Sequence, residues 1–347
     1  MICQPPIEMK KQSILFVYID YSTFVRADFE ILSTFAHVSK YQFKPVKGLV
    51  KTGFELFKEL LFLIFGGYKY DSLFIWFSDY HSLLPVLFAK IFGKKSFVVI
   101  GGFDVASLPE FKYGALSNPF RAFFSRNTLK FATLCFPVAD ALKKKILEIN
   151  PNARAEVIAT RQDAEKFSFA VYERPRRIVT VSGTNSYQRL MVKGLDRFRE
   201  LALKLPEFEF QIIGATETVS HYFEPLPANL SLLPAADFGQ MSQYYRDTSF
   251  YAQLSRSEGL PNALCEAMLC GCIPVGTSVG DVRLAIGNTG LAIEEWDSDI
   301  LVEFIRNNHN SNLLRDAARE RIMNLFPDGI RKEKFMTILQ PPNTDPK

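Results

Sequence analysis

Cysteine is scarce in this chain of 347 residues, which holds only Cys3, Cys135, Cys265, Cys270 and Cys272. An odd count without framework spacing excludes a disulfide-stapled secreted fold and points to a reducing, cytoplasmic compartment. Long hydrophobic runs are absent as well. No stretch approaches the roughly 20 apolar residues needed to span a bilayer. The first apolar segment, Ile14 to Ile19, ends at Asp20 and is too short for a secretory signal. Excess charge is small: 41 Lys+Arg against 37 Asp+Glu leave +4, which argues against a nucleic-acid partner. There is no low-complexity tract, and no internal repeat beyond two similar halves.

Apolar residues make up 48% of the chain, and Phe alone numbers 32. That is enough to bury a core in each of two ordinary domains. Charge is uneven along the chain. Residues 1–165 carry 21 Lys+Arg and 15 Asp+Glu, a net of +6, so the remainder nets −2. A basic first half suits an anionic acceptor or a membrane surface, although solvated lysines also account for it. Strand-like runs at Ser13 to Ile19, Leu73 to Phe77, Ser96 to Ile100 and Leu134 to Val138 alternate with helical patterns at Ala27 to His37, Ser82 to Phe92 and Ala139 to Ile149. A short strand is expected at Glu156 to Ala159. A second alternation starts at Ile178 to Val181, continues with a helix at Leu195 to Leu203, and has strands at Glu209 to Ile213, Leu230 to Leu233 and Ser249 to Leu254. This pattern predicts an α/β chain with two doubly wound, Rossmann-like domains. The expected domains are 1–165 and 178–330, joined by the polar, Pro-containing linker 164–177, with a tail at 331–347 that crosses back to the first domain.

The densest cluster of chemistry is Ser255-Arg256-Ser257-Glu258-Gly259-Leu260-Pro261-Asn262-Ala263-Leu264-Cys265-Glu266-Ala267-Met268. An apolar strand precedes it, Gly259 and Pro261 break that strand, and Asn262 is expected to cap a helix stopped by Gly271. Asn262 and Glu266 then share one helix face at i, i+4. The helix start offers free N–H groups and a dipole to an anion. Two carboxylates flanking such a start suit a ligand with hydroxyls on either side of a phosphate; a turn-capping Glu258 and a solvated Glu266 are the plain alternative.

The stretch from Ser255 through Glu266, Cys272, Pro274 and Val275 resembles the donor-site signature of retaining GT-B glycosyltransferases of family 4, also called glycosyl transferases group 1. The resemblance implies two Rossmann-like domains facing a cleft. It implies that Glu258 contacts the transferred sugar, that Glu266 holds the ribose hydroxyls, and that Gly259, Leu260, Pro261 and Asn262 line the donor. Lys193-Gly194 matches the pair that sets an ammonium on the donor diphosphate, where a fixed cation stabilises the departing charge. The family carries an Arg after the glycine of the preceding strand, whereas Thr184 follows Gly183 here; Arg189 is the candidate replacement. Gly214 resembles a strand-end glycine near the nucleotide, and the segment from Leu233 to Phe238 with Tyr244-Tyr245 resembles the base-lining segment. Asp104, after Gly101-Gly102, is the candidate for contacting the donor sugar or the acceptor hydroxyl; a plain turn aspartate is its alternative. The expected activity is hexosyl transfer from a nucleotide-diphosphate sugar to a saccharide or lipid-linked acceptor in polysaccharide or glycolipid synthesis, without metal or cofactor, at the cytoplasmic side of a membrane. A nucleotide-sugar epimerase, a phosphorylase, or a non-catalytic nucleotide-sugar binder remain as alternatives.

Other patterns carry less. Cys270-Gly271-Cys272 reads as apolar packing rather than a metal or redox pair. Asp297-Ser298-Asp299 reads as helix capping rather than a metal site. His81 reads as a capping or core histidine. Lys51 to Phe65, apolar nearly all round, reads as a buried domain helix rather than an interfacial one.

Overall fold

The computed structural model describes residues 11–46, 48–169, 173–184, 186–215, 217–237 and 239–340. Five parallel strands form the first sheet: β1 (Ser13–Tyr18), β2 (His37–Gln42), β3 (Ser72–Trp76), β4 (Lys95–Ile100) and β5 (Leu134–Pro137), in the order β2-β1-β3-β4-β5. β1, β3 and β4 are almost wholly buried, as parallel strands covered on both faces must be. The covering helices are α1 (Thr23–Ser33), α2 (Leu49–Gly66), α3 (Tyr80–Ile91), α4 (Pro119–Phe131) and α5 (Asp140–Ile149).

The second sheet is also parallel. It comprises β6 (Arg177–Thr184), β7 (Glu209–Ala215), β8 (Leu230–Leu233), β9 (Phe250–Gln253), β10 (Ile273–Thr277) and β11 (Leu291–Ile293), ordered β11-β10-β9-β6-β7-β8. Its helices are α6 (Tyr187–Val192), α7 (Leu195–Lys204), α8 (Met241–Arg246), α9 (Asn262–Leu269), α10 (Val282–Ile286), α11 (Ser298–Asn308) and α12 (Asn312–Leu325). A last helix, α13 (Ile330–Leu339), leaves this lobe and lies on the first. Phe335 packs edge-on against Phe74, with ring centroids 5.3 Å apart, and also meets Phe136. Arg331 clamps both carboxylate oxygens of Asp28 on α1 at 2.6 Å, and both side chains are 2% exposed. Burial raises the Asp28 pKa, and Arg331 opposes that rise. Residues 341–347 of the expected tail lie outside the described residues.

Several local expectations are corrected. The helix expected at Ala27 to His37 starts earlier, at Thr23, and ends at Ser33, because β2 takes His37 onward. β2 went unforeseen since it is an exposed edge strand with little apolar signal. Glu156 to Ala159 forms no strand. A single bridge pairs Cys135 with Ala155, and the carbonyls of Val157 and Ala159 accept instead from Lys334 and Arg331 of α13. The linker is tied down at both ends. Phe167 and Arg174 are buried, and Arg174 donates to the carbonyls of Tyr245 and Thr248; residues 170–172 lie outside the described residues.

The largest correction concerns α2. Its only fully buried residues are Thr52, Glu59 and Leu63, while Phe54, Phe57 and Phe65 are 58%, 54% and 83% exposed. The helix is not a buried domain helix. Its apolar residues lie chiefly on the side away from the sheet.

Candidate active site in the interdomain cleft

In parallel sheets of this kind ligands sit beyond the carboxyl ends of the strands. Both sheets direct those ends at one cleft. β9 ends at Gln253, and the chain loops through Glu258 before entering α9. Three donors converge on one oxygen of Glu258: Lys193 Nζ at 2.7 Å, Ser255 Oγ at 2.7 Å and Gln253 Nε2 at 2.9 Å. All reach Oε1, and among the described residues none reaches Oε2. The carboxylate is therefore fixed by one oxygen and open at the other.

Lys193 arrives from a separate turn, between α6 and α7. Gly194 follows it in the left-handed region, at φ +69°, with the space of a Cβ occupied by the Leu254 carbonyl. Only glycine lets the two loops meet so closely, and that contact brings Lys193 beside Glu258. Burial disfavours the Lys193 ammonium, but Glu258 outweighs burial and holds its pKa above the usual lysine value.

A cavity of about 260 Å³ opens above this pair. Lys193, Glu258, Leu260, Pro261, Asn262 and Gln253 line it from the second lobe, and Phe24, Phe77, Gly101, Phe103 and Tyr113 from the first. A smaller recess continues past Tyr113 and Lys193 to Ser182, Gly183 and Arg189. Arg189 thus stands in the cleft near the expected place, although it belongs to α6 rather than to the strand end. No side chain caps α9, and among the described residues the amides of Asn262, Ala263 and Leu264 meet no protein acceptor, an arrangement suited to an anion. Gly259 is where the lobes touch: a Cβ there would lie 2.8 Å from the Gly101 carbonyl oxygen. Gly214 sits at the end of β7 with φ +90°, against the Ser182 carbonyl, beside rather than in the recess.

Glu266 lies one turn beyond Asn262 on α9, half-buried, and outside the cavity that holds Glu258. Its Oε2 accepts from Tyr245 Oη at 3.4 Å. Burial pushes its pKa up to about 8, with Tyr245 and Lys166 opposing. Asn262 is the first residue of α9, not its cap. Its side-chain oxygen instead accepts from Thr160 and Gln162 of the interdomain connection.

Asp104 differs from expectation. It is fully buried, and its oxygens accept from the backbone N–H groups of Gly102 at 2.7 Å, Ser78 at 3.2 Å and Gly101 at 3.3 Å. Burial raises its pKa to about 6 against those amides. Asp104 is not among the residues that line the cavity; its carboxylate holds the Gly101-Gly102 turn against the other lobe. Sequence reading missed Gln253 and Ser255, which orient Glu258, and Phe77, whose φ of +71° is unusual for a bulky residue. Their position at strand ends was the available signal.

The weaker patterns resolve plainly. Asp297 caps α11, and Asp299 pairs with Lys204. His81 is buried and bonded to the Trp76 carbonyl, with its pKa lowered by burial to about 4. Cys270 and Cys272 are buried free thiols, and burial pushes Cys272 up to about 11. Among the described residues no cluster of His, Cys, Asp or Glu is arranged to hold a metal ion.

Two parallel α/β lobes that face a cleft with their strand ends constitute the GT-B fold of glycosyltransferase structures. Residues 175–310, nearly all of the second lobe, match the family model described as glycosyl transferases group 1. Sucrose-phosphate synthase from Thermosynechococcus elongatus superposes with a TM-score of 0.77 at 13% identity, covering 95% of this chain and 98% of that one. HepE from Anabaena, solved with UDP and glucose, gives 0.73 at 13% identity over 94% and 99% of the two chains. A glycosyltransferase from Rickettsia africae gives 0.69 at 16% identity over 94% and 97%. No curated protein sequence matches the chain.

Proposed function

We propose that the protein is a retaining glycosyltransferase that moves a sugar from a nucleotide-diphosphate sugar to a hydroxyl of a saccharide or lipid-linked acceptor, in polysaccharide or glycolipid synthesis. One observation carries this reading: Glu258 is held on one oxygen by Lys193, Gln253 and Ser255, beside the uncapped start of α9, at the cleft. The donor's sugar would sit where Glu258 Oε2 can accept from its hydroxyls. Its diphosphate would lie between Lys193, Arg189 and the first-turn amides of α9. These fixed positive groups would stabilise the charge that gathers on the leaving diphosphate. They take the part a metal plays elsewhere, so the reaction is proposed to run without one. Glu266 would accept from the ribose hydroxyls.

The acceptor would approach from the Phe103 and Tyr113 side and attack on the face the diphosphate leaves. The departing phosphate oxygen would take the acceptor's proton. No side-chain nucleophile is required, and Asp104 acts only by holding the Gly101-Gly102 turn. HepE was solved with UDP and glucose, which makes UDP-glucose the first donor to try. The test is a panel of UDP-, GDP- and ADP-sugars read by thermal shift and then by nucleotide release with added acceptors. An α-linked product from an α-configured donor is expected. Binding of no nucleotide sugar would remove the reading, and an inverted anomeric centre would remove its retaining part.

A further inference from the structure

α2 is built inside out. A helix on a soluble lobe normally turns its apolar stripe to the core and its polar side to water. Here an 18-residue helix fully buries Thr52, Leu63 and the carboxylate of Glu59, and among the described residues neither Glu59 oxygen has a hydrogen-bond partner. At about 100° per residue, Val50, Phe54, Phe57, Leu61, Ile64 and Phe65 fall in one arc about 100° wide, centred opposite the buried side. Val50 is 88% exposed and Phe65 83%. The stripe continues past the helix end: Tyr68 meets the ring of Phe92 at 4.8 Å, and Ile91 beside it is 73% exposed. Among the described residues, half of the exposed large hydrophobic side chains fall between residues 49 and 92. A contiguous apolar patch of this kind marks a surface that something covers.

The charge around the stripe says what covers it. Lys51 and Lys58 flank it on one side of the helix, and the Lys58 ammonium stands 4.5 Å over the Phe54 ring. Lys44, Lys69 and Lys90 are exposed beyond its ends. Against these lysines stand Glu55, already paired with Lys58 at 2.8 Å, and the exposed Asp71. An apolar stripe bordered by ammonium groups is complementary to a surface with hydrocarbon beneath a layer of anionic phosphate. No helix among the described residues is long and apolar enough to cross a membrane, so the contact is with the surface.

We propose that α2 and the adjoining end of α3 dock this protein on an anionic lipid bilayer. The aromatic and aliphatic side chains of the stripe enter the interface, and the flanking lysines meet the headgroup phosphates. α2 begins beyond the carboxyl end of β2, the end that faces the cleft, so docking brings the rim of the cleft close to the headgroups. The proposal uses none of the donor-site residues and stands or falls apart from the reaction.

The test is co-sedimentation of the full chain, without donor, with two kinds of vesicle. One is phosphatidylcholine alone; the other is phosphatidylcholine with phosphatidylglycerol at roughly two to one. The wild type is expected to bind the anionic vesicles at least about tenfold more tightly than the neutral ones, with the difference shrinking at high salt. The triple variant Phe54→Ser, Phe57→Ser, Phe65→Ser should lose about tenfold or more of that binding with unchanged circular dichroism and melting temperature. Lys51→Glu with Lys58→Glu should abolish the preference for anionic lipid. Equal binding to both vesicles, no binding, or full binding by the triple variant would overturn the proposal. So would a wild-type dimer that the triple variant converts to monomer, since a second copy would then be the cover.

Discussion

If Glu266 receives the ribose hydroxyls, donor binding must release a proton. In the free protein burial holds its pKa up to about 8, so near neutral pH most molecules carry Glu266 protonated. The carboxylic acid has one oxygen tied up as a hydroxyl, whereas the carboxylate can accept from both ribose hydroxyls at once. Binding therefore selects the ionised form and pays for its deprotonation below pH 8. For a single group of this kind, affinity climbs about tenfold from about pH 6 to about pH 7, and about fiftyfold in all by about pH 8, then levels. The sign follows from the direction of the shift. The folded-state value lies above the ordinary 4.5, so the free native state holds more protons than the unfolded chain, and Glu266 costs stability as pH rises between the two. The donor relieves that cost, so its stabilising effect grows with pH over the same window. The diphosphate of a nucleotide sugar stays fully ionised throughout and adds no slope. Isothermal titration calorimetry with UDP-glucose, in two buffers of different ionisation enthalpy, measures both affinity and protons released. Near neutral pH the wild type should release close to one proton per donor bound, and Glu266→Gln none. A flat affinity from pH 6 to pH 8, or the same slope in Glu266→Gln, would refute the ribose contact.

Three further outcomes are expected. Lys193→Met removes the cation beside the diphosphate and should lower kcat about 100- to 1,000-fold in steady-state transfer assays, while the thermal melt stays cooperative because Gln253 and Ser255 still hold Glu258; unchanged kcat would exclude Lys193 from the reaction. Arg331→Met leaves the Asp28 carboxylate buried without its partner and should cost about 3–5 kcal/mol in urea denaturation, and a loss below about 1 kcal/mol would show the clamp to be dispensable. Gly259→Ala sets a methyl 2.8 Å from the Gly101 carbonyl oxygen and should lower both melting temperature and turnover by pushing the lobes apart, at about 1–3 kcal/mol; wild-type values for both would show that the lobes do not close there.

The central strands were legible because burial on both faces leaves a continuous apolar run. β1 and β4 differ from the expected bounds by a residue at one end and β3 by a residue at each, while the edge strands β5 and β8 were found from short apolar runs of their own. Edge strands β2 and β11 carry no such run and were missed. Glu258 and Lys193 could be located from local motifs, since each sits in a short loop whose glycine forces the geometry. The role of Asp104 could not. A carboxylate after two glycines reads the same whether it faces a ligand or turns inward to three amides, and only the fold of residues 78 and 101–104 decides. The same limit explains α2. Periodicity shows which side of a helix is apolar, not whether the protein or something else covers it. Asn262 fell between these cases: its place at the start of α9 was legible, but its partners Thr160 and Gln162 are about a hundred residues away.

One carboxylate ties the gap between the lobes to the order of a helix. α5 starts with no cap of its own, and the amides of Asp140 and Ala141 are met instead by Asp281, from the opposite lobe, at 3.0 and 3.2 Å. Parting the lobes strips that helix of its terminator, at a cost of about 0.5–2 kcal/mol. A cleft closed by this contact would be biased shut yet within reach of thermal motion, and any opening of it would be coupled to the fraying of one turn of α5. Hydrogen exchange at those two amides would report on the aperture directly.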